Sequence, residues 1–188
     1  MFMERGFDAT TMDAVAEGAG VGKATLYALY RDKEALFADV FRRQVSRLLA
    51  PLDPLAVQVG PADDIEDALY RIGHALLLCA LTPEVVAINR ILSAQARRFP
   101  DLARLAYEEG WNRGLDVVGS VLSRLAAAGN IPIAEPELAA DMFLCLVLGR
   151  TTRMAAFNLP LPDDAALAQR VRFAVRVFLN GVRASGGA

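Results

Sequence analysis

One histidine and two cysteines among 188 residues leave little material for metal or disulfide chemistry. A histidine-based zinc site needs several ligands at close spacing. Cys79 and Cys145 each sit inside an apolar run, the setting of buried, reduced thiols rather than of a disulfide framework. Long hydrophobic runs are missing as well. The longest, Ala75 to Leu81 and Met142 to Leu148, stop far short of the roughly 18 residues that span a bilayer. The opening residues Met1-Phe2-Met3-Glu4-Arg5-Gly6 hold no basic region followed by an apolar one, so the chain as given shows no secretory signal. These absences give the expectation of a cytoplasmic protein with no membrane partner, no metal and no cofactor. Catalytic signatures are absent too, with no Gly-rich phosphate loop, no Gly-x-Ser-x-Gly and no paired-Cys motif. His74 lies beside Ala75-Leu76-Leu77, where a packed imidazole is the ordinary role, and an enzyme is not expected. Nor is there an excess of positive charge. Twenty Lys and Arg face 22 Asp and Glu, a net charge of −2, the wrong sign for coating nucleic acid, although a local DNA-reading face fits inside such an average.

What is present is an apolar majority, 54% of the residues, enough for a substantial core. The length favours one domain, or two if one is small. Strand-like alternation is nearly absent and helical spacing dominates, so an all-α fold is expected. A short first segment ends at Gly6, and Thr10-Thr11-Met12-Asp13 has the form of a capping box. Helices are expected from about Thr11 to Gly18, Lys23 to Tyr30, and Lys33 to Leu49 with Asp32 as cap, broken by Pro51 and Pro54. Pro61-Ala62-Asp63-Asp64 starts the next, with Ile65, Leu69, Ile72, Leu76 and Leu77 on one face. Thr82-Pro83 starts another, which runs to about Arg98. Asp101 opens a long helix closed by Gly129-Asn130. Glu137 to Phe157 is apolar nearly all round at its middle, as in a helix buried on several sides. The last helix, Asp163 to Arg183, repeats Leu167, Val171, Val175, Phe178 and Val182 in a single stripe. That stripe reads as an uncovered dimer face, giving the expectation of a homodimer through the last two helices, which pair with their symmetry mates as a four-helix bundle. Residues 184–188 are expected to fray.

Ala16, Gly20 and Leu26 have a spacing with a steric reason. Where two helices cross closely, the first offers a small residue, Gly takes the turn, and an apolar residue of the second fills the gap. An ordinary helical hairpin and a DNA-binding helix-turn-helix both satisfy it. The surrounding residues are more specific. Phe2-Met3-Glu4-Arg5-Gly6-Phe7, Thr10-Thr11, Val15-Ala16, Ala19-Gly20-Val21, Gly22-Lys23-Ala24-Thr25-Leu26-Tyr27 and Lys33-Glu34-Ala35-Leu36-Phe37 match in register the DNA-binding region of the TetR family of bacterial repressors. The segment Ala96 to Leu102 resembles a C-terminal subtype found beside efflux and stress regulators.

The resemblance implies a helix-turn-helix domain over residues 1–47, its first helix incomplete, followed by a ligand-binding and dimerisation domain over residues 48–188. It implies a ligand-responsive regulator, a repressor released from a double-stranded DNA operator by a small apolar effector. The alternative is a dimeric helical ligand-binding module that has lost DNA binding. By analogy with the family, Lys23, Ala24, Thr25 and Ala28 lie near base edges, Gly22 stands at the cap of the recognition helix, and Tyr27 reaches a phosphate. Thr11 and Lys33 sit at helix N-termini, where backbone N–H groups favour phosphate. Tyr30 stands where the family has a buried Phe. Effector walls are expected from Tyr107, Trp111, Met142 and Phe143, and polar contacts from His74, Asn112 or Arg150.

The chain also departs from the family pattern. Gly22 replaces a usual Ser, Ala24 a common Gly, and Leu29 an often polar residue. Family members carry more chain ahead of the Phe2 motif, so weak operator binding by the chain as given is expected, with recovery on restoring upstream codons. Over residues 1–47, seven bases are matched by seven acids, an unusually neutral balance for a DNA-binding head.

Overall fold

The computed structural model describes residues 1–50, 64–97, 100–129 and 131–185, and all regular structure among them is helical. The expected breaks at Pro51, Pro54 and Pro61, the residues Arg98 and Asn130, and the last three residues lie outside that set.

The N-terminal part is built on aromatic packing. Helix α1 (Phe2–Arg5) ends at Gly6, whose φ of +79° is one that L side chains rarely adopt. Phe2 and Phe7 both meet Phe37 edge-on, at 5.1 and 5.4 Å between ring centroids. Thr10 is not the cap of the next helix. Its buried hydroxyl donates to the Gly6 carbonyl at 2.8 Å, and Thr11 is the cap of α2 (Met12–Gly18), its oxygen accepting from Ala14 N. The capping box is therefore one residue out of register, because the first Thr is spent on closing the α1 turn. Gly20, at φ +67°, turns the chain into α3 (Lys23–Leu29), where Ala16 and Leu26 pack as the spacing required. Asp32 then caps α4 (Lys33–Leu49), accepting from Ala35 N at 2.8 Å. Its 17 residues span about 25 Å.

The remaining helices form one packed bundle. Helix α5 (Ile65–Ala80) buries Leu69, Ile72, Leu76 and Leu77, the face its spacing foretold. Thr82 caps α6 (Pro83–Gln95), with Pro83 in the first turn. The helix expected from Asp101 to Gly129 is present but interrupted. α7 (Pro100–Ala106) passes through a π-helical turn (Tyr107–Asn112) into α8 (Arg113–Ala127). Gly110 lies in that turn, and a glycine weakens an α-helix by about 1 kcal/mol relative to Ala, so the ladder yields there. Helix α9 (Pro136–Ala156) lies against α5, α6, α8 and α10 (Asp164–Ser185), and α10 lies on α5 and α9. Gly73 of α5 permits this. A Cβ there would stand 3.1 Å from Phe143 and 3.2 Å from Val171, so α5 approaches both neighbours closely only because that side chain is absent.

One sequence expectation about α10 is overturned. Leu167, Val171, Val175 and Phe178 do not form an uncovered stripe. They are buried within the protomer, Val171 and Val175 completely, against α5 and α9. A single-chain periodicity shows that a helix has an apolar face but not which neighbour covers it.

Candidate DNA-binding face and effector cavity

Helix α3 presents its buried side through Leu26 and leaves Lys23, Ala24, Thr25, Tyr27 and Ala28 exposed. Gly22 caps it by backbone geometry alone, with no side-chain bond. Lys23 is not free on this surface. Its Nζ donates to Asp13 Oδ2 at 2.5 Å across the turn, and this bond and charge hold the amine above its usual pKa. Thr11 is exposed, with its oxygen engaged at the start of α2. Lys33 is committed further. Its amine donates to the Phe7 carbonyl at 2.8 Å and stands 4.4 Å from that ring's centroid, so it fastens the loop after α1 onto α4. Tyr30 is half-buried against the core and differs from a Phe in its hydroxyl, which donates to Asp39 at 2.5 Å. That bond, first of all, lowers the pKa of Asp39 and raises that of Tyr30. Asp32 is likewise held below the usual carboxylate range, first by the Ala35 N–H and then by Arg31. Leu29 is 71% exposed.

A cavity of about 260 Å³ lies among α4, α5, α6, the π turn, α8 and α9. Its wall is largely apolar: Phe41 from α4, Leu76 from α5, Val85 and Ile88 from α6, and Leu144 from α9. Asn89 and Thr152 supply polar groups, the Thr152 hydroxyl donating back to the Leu148 carbonyl at 3.1 Å. Cys79 also faces it, its thiol pushed up by burial. Trp111 borders the cavity from the π turn and reaches Asp141 of α9 with its indole N–H at 3.3 Å.

Of the seven effector contacts expected from the sequence, Trp111 borders this cavity and the others are placed elsewhere. Phe143 is wholly buried between α5 and α10, its ring 5.2 Å from that of Phe178. Met142 points outward, at the edge of a groove between α9 and α10. Tyr107 and Arg150 are exposed, and Asn112 is half-buried in the π turn. His74 is half-buried and stacks on Tyr70, which in turn carries Arg172 over its ring at 4.0 Å. Of the aromatics and Met at helical spacing, Phe143 packs in the core and Tyr107 and Met142 face outward. Phe41 was missed because α4 read as part of the DNA-binding head, and Ile88 and Asn89 because α6 carries no aromatic to draw attention.

A helix-turn-helix joined by one long helix to a helical domain with an apolar cavity defines a ligand-responsive DNA-binding regulator. The comparisons agree. Residues 1–40 match the family described as bacterial regulatory proteins, tetR family, and residues 67–181 match the AefR-like transcriptional repressor C-terminal domain. The HTH-type transcriptional regulator YhgD of Bacillus subtilis is 50% identical over 148 residues, covering 78% of this chain and 74% of that protein. A TetR-family transcriptional regulator from Mesorhizobium loti is 28% identical, with a TM-score of 0.90 over 96% of this chain and 90% of that one. The flavonoid-responsive regulator FrrA is 33% identical, with a TM-score of 0.74 over the same shares, 96% and 90%. The chain belongs to the TetR family of transcriptional regulators. No single described helix is long and apolar enough to cross a membrane.

Proposed function

We propose that this regulator is a repressor that grips its operator as a homodimer and lets go when a small, largely apolar effector enters the cavity beside Phe41. The observation that carries the reading is the position of α4. The same helix gives Phe37 to the aromatic core of the head and Phe41 to the cavity wall. An occupant that displaces Phe41 therefore acts directly on the helix that sets the head. On this reading residues 1–47 are the DNA-binding domain and 48–188 the effector and dimerisation domain, with α4 shared between them.

Ala24, Thr25 and Ala28 of α3 face the major groove, the Tyr27 hydroxyl reaches a phosphate, and Lys23 exchanges Asp13 for a phosphate on binding. The dimer forms through the outer faces of α9 and α10. Leu138, Met142 and Leu146 stand four residues apart on α9, beside Phe173 and Val177 on α10, and all are exposed. Such a continuous apolar face marks an interaction surface. Because FrrA responds to flavonoids, as its name states, planar aromatic molecules are the first class to test.

Trp111 is the only tryptophan, so its fluorescence reports on the cavity. Titration with a flavonoid panel is expected to change Trp111 emission and to weaken operator binding by about 5- to 150-fold, the usual range of allosteric coupling. Ala80→Leu, which places a larger side chain on the cavity wall, is expected to abolish both responses and leave DNA binding in place. A compound that changes Trp111 emission and leaves DNA affinity untouched would overturn release by this cavity.

The Lys23–Asp13 pair gives a further expectation. Asp13→Asn removes a carboxylate from the DNA face and frees the amine, so affinity should rise. The slope of log affinity against log salt should stay the same, because Lys23 meets one phosphate in either complex, whereas Lys23→Ala should flatten it by about 0.9 for the phosphate lost from each head. Fluorescence anisotropy at four or five salt concentrations checks it, and an unchanged slope for Lys23→Ala would show that Lys23 never reaches the backbone.

A further inference from the structure

The outer surface of α3 differs from what bidentate base reading requires. Ala24 and Ala28 lie two residues either side of the buried Leu26, roughly 160–200° round the helix from it, and Thr25 and Tyr27 flank them. All four are exposed. Reading G or A by paired hydrogen bonds needs Arg, Lys, Asn or Gln. The helix sequence Lys-Ala-Thr-Leu-Tyr-Ala-Leu has no Arg, Asn or Gln. Its one amine is exposed but held by Asp13 of α2. What α3 does present outward is methyl groups, those of Ala24, Ala28 and Thr25, on side chains short enough to let the helix sit close to the groove floor. The apolar group a major groove offers in return is the thymine 5-methyl, which also distinguishes T·A from A·T.

We propose that this regulator reads its operator half-sites chiefly through thymine 5-methyl groups, which pack against Ala24, Thr25 and Ala28. The inference rests on the DNA-binding reading above and specifies the chemistry of its partner. Specificity then comes from the positions of thymines, with Lys23 and Tyr27 fixing the helix on the backbone. A half-site read in this way tolerates loss of guanine acceptors and does not tolerate loss of thymine methyls.

The test starts from duplexes selected by the full chain from a randomised 30-base-pair library. Each thymine of the selected site is then replaced by deoxyuridine, which removes only the methyl, and each guanine by 7-deazaguanine, which removes the N7 acceptor. At least one thymine per half-site should cost about fourfold on demethylation, the worth of one buried methyl group, and about fifteenfold when both half-sites are changed. Thymines outside the contacted steps should give no change and serve as the control. If the selected site binds and no deoxyuridine substitution weakens it by more than about twofold, the inference is overturned, whatever 7-deazaguanine does. If the library yields no enriched sequence, it is the DNA-binding reading that fails, and the two failures are told apart by that first step.

Discussion

Met142→Glu combined with Val177→Glu is expected to give a folded monomer that no longer binds its operator. Both side chains are exposed on the outer face of α9 and α10, at 47% and 43%, and both border the groove that runs between the two helices. A glutamate at either place costs the isolated protomer little, since its carboxylate stays in water. In a two-fold bundle each substitution appears twice and buries like charges against one another without partners, a loss that a dimer interface cannot absorb. Two coupled heads bind successive major grooves, and one head alone is left with something close to non-specific affinity. Operator binding should therefore fall by about a thousandfold or more. Sedimentation and a thermal melt separate the outcomes: half the mass with an unchanged fold supports the assignment, and an intact dimer overturns it. Val175→Glu is the contrasting case. Val175 is wholly buried within the protomer, and a charge there should unfold the chain rather than dissociate it.

That contrast shows where the sequence was informative. Helix positions were legible almost throughout, because caps and breakers act locally: Asp32, Thr82 and Gly20 do in the structure what their chemistry dictates. The head was legible in finer detail, since its Phe and Gly positions are short-range and mutually constrained, but the cap of α2 fell one residue on, at Thr11. The cavity was not. Its wall draws on α4, α5, α6, the π turn, α8 and α9, and no periodicity within one helix tells which of its apolar residues will face a void rather than a neighbour. The same limit explains α10. Its inward stripe and its outward pair Phe173 and Val177 are both apolar, and only the placement of α5 and α9 decides which is core. The π turn was equally hidden, because the α and π ladders accept the same residues and a single Gly110 does not announce which of the two will form.

Phe143→Ala is expected to be the most destabilising simple truncation in the bundle and to do so without altering how the protein recognises DNA. The ring is completely buried, meets Phe178 edge-on at 5.2 Å, and fills the space that Gly73 leaves open on α5. Removing it loses the transfer energy of the ring and opens a hole that three helices cannot close, at a cost of about 3–5 kcal/mol. For a chain of this size that lowers the melting temperature by about 10 °C or more. Were Phe143 a cavity wall in contact with effector, the variant would instead melt near the wild-type temperature and lose its Trp111 response. The packing also makes a second-site expectation. Gly73→Val alone crowds Phe143 and Val171 and should destabilise, whereas in the Phe143→Ala background its side chain enters the vacated space. The double variant should then melt above the value that the two single losses predict by addition, with a coupling of about 1–2 kcal/mol. Additive losses would mean that the two residues do not share the same space, and that the close approach of α5 to α9 is set by something other than Gly73.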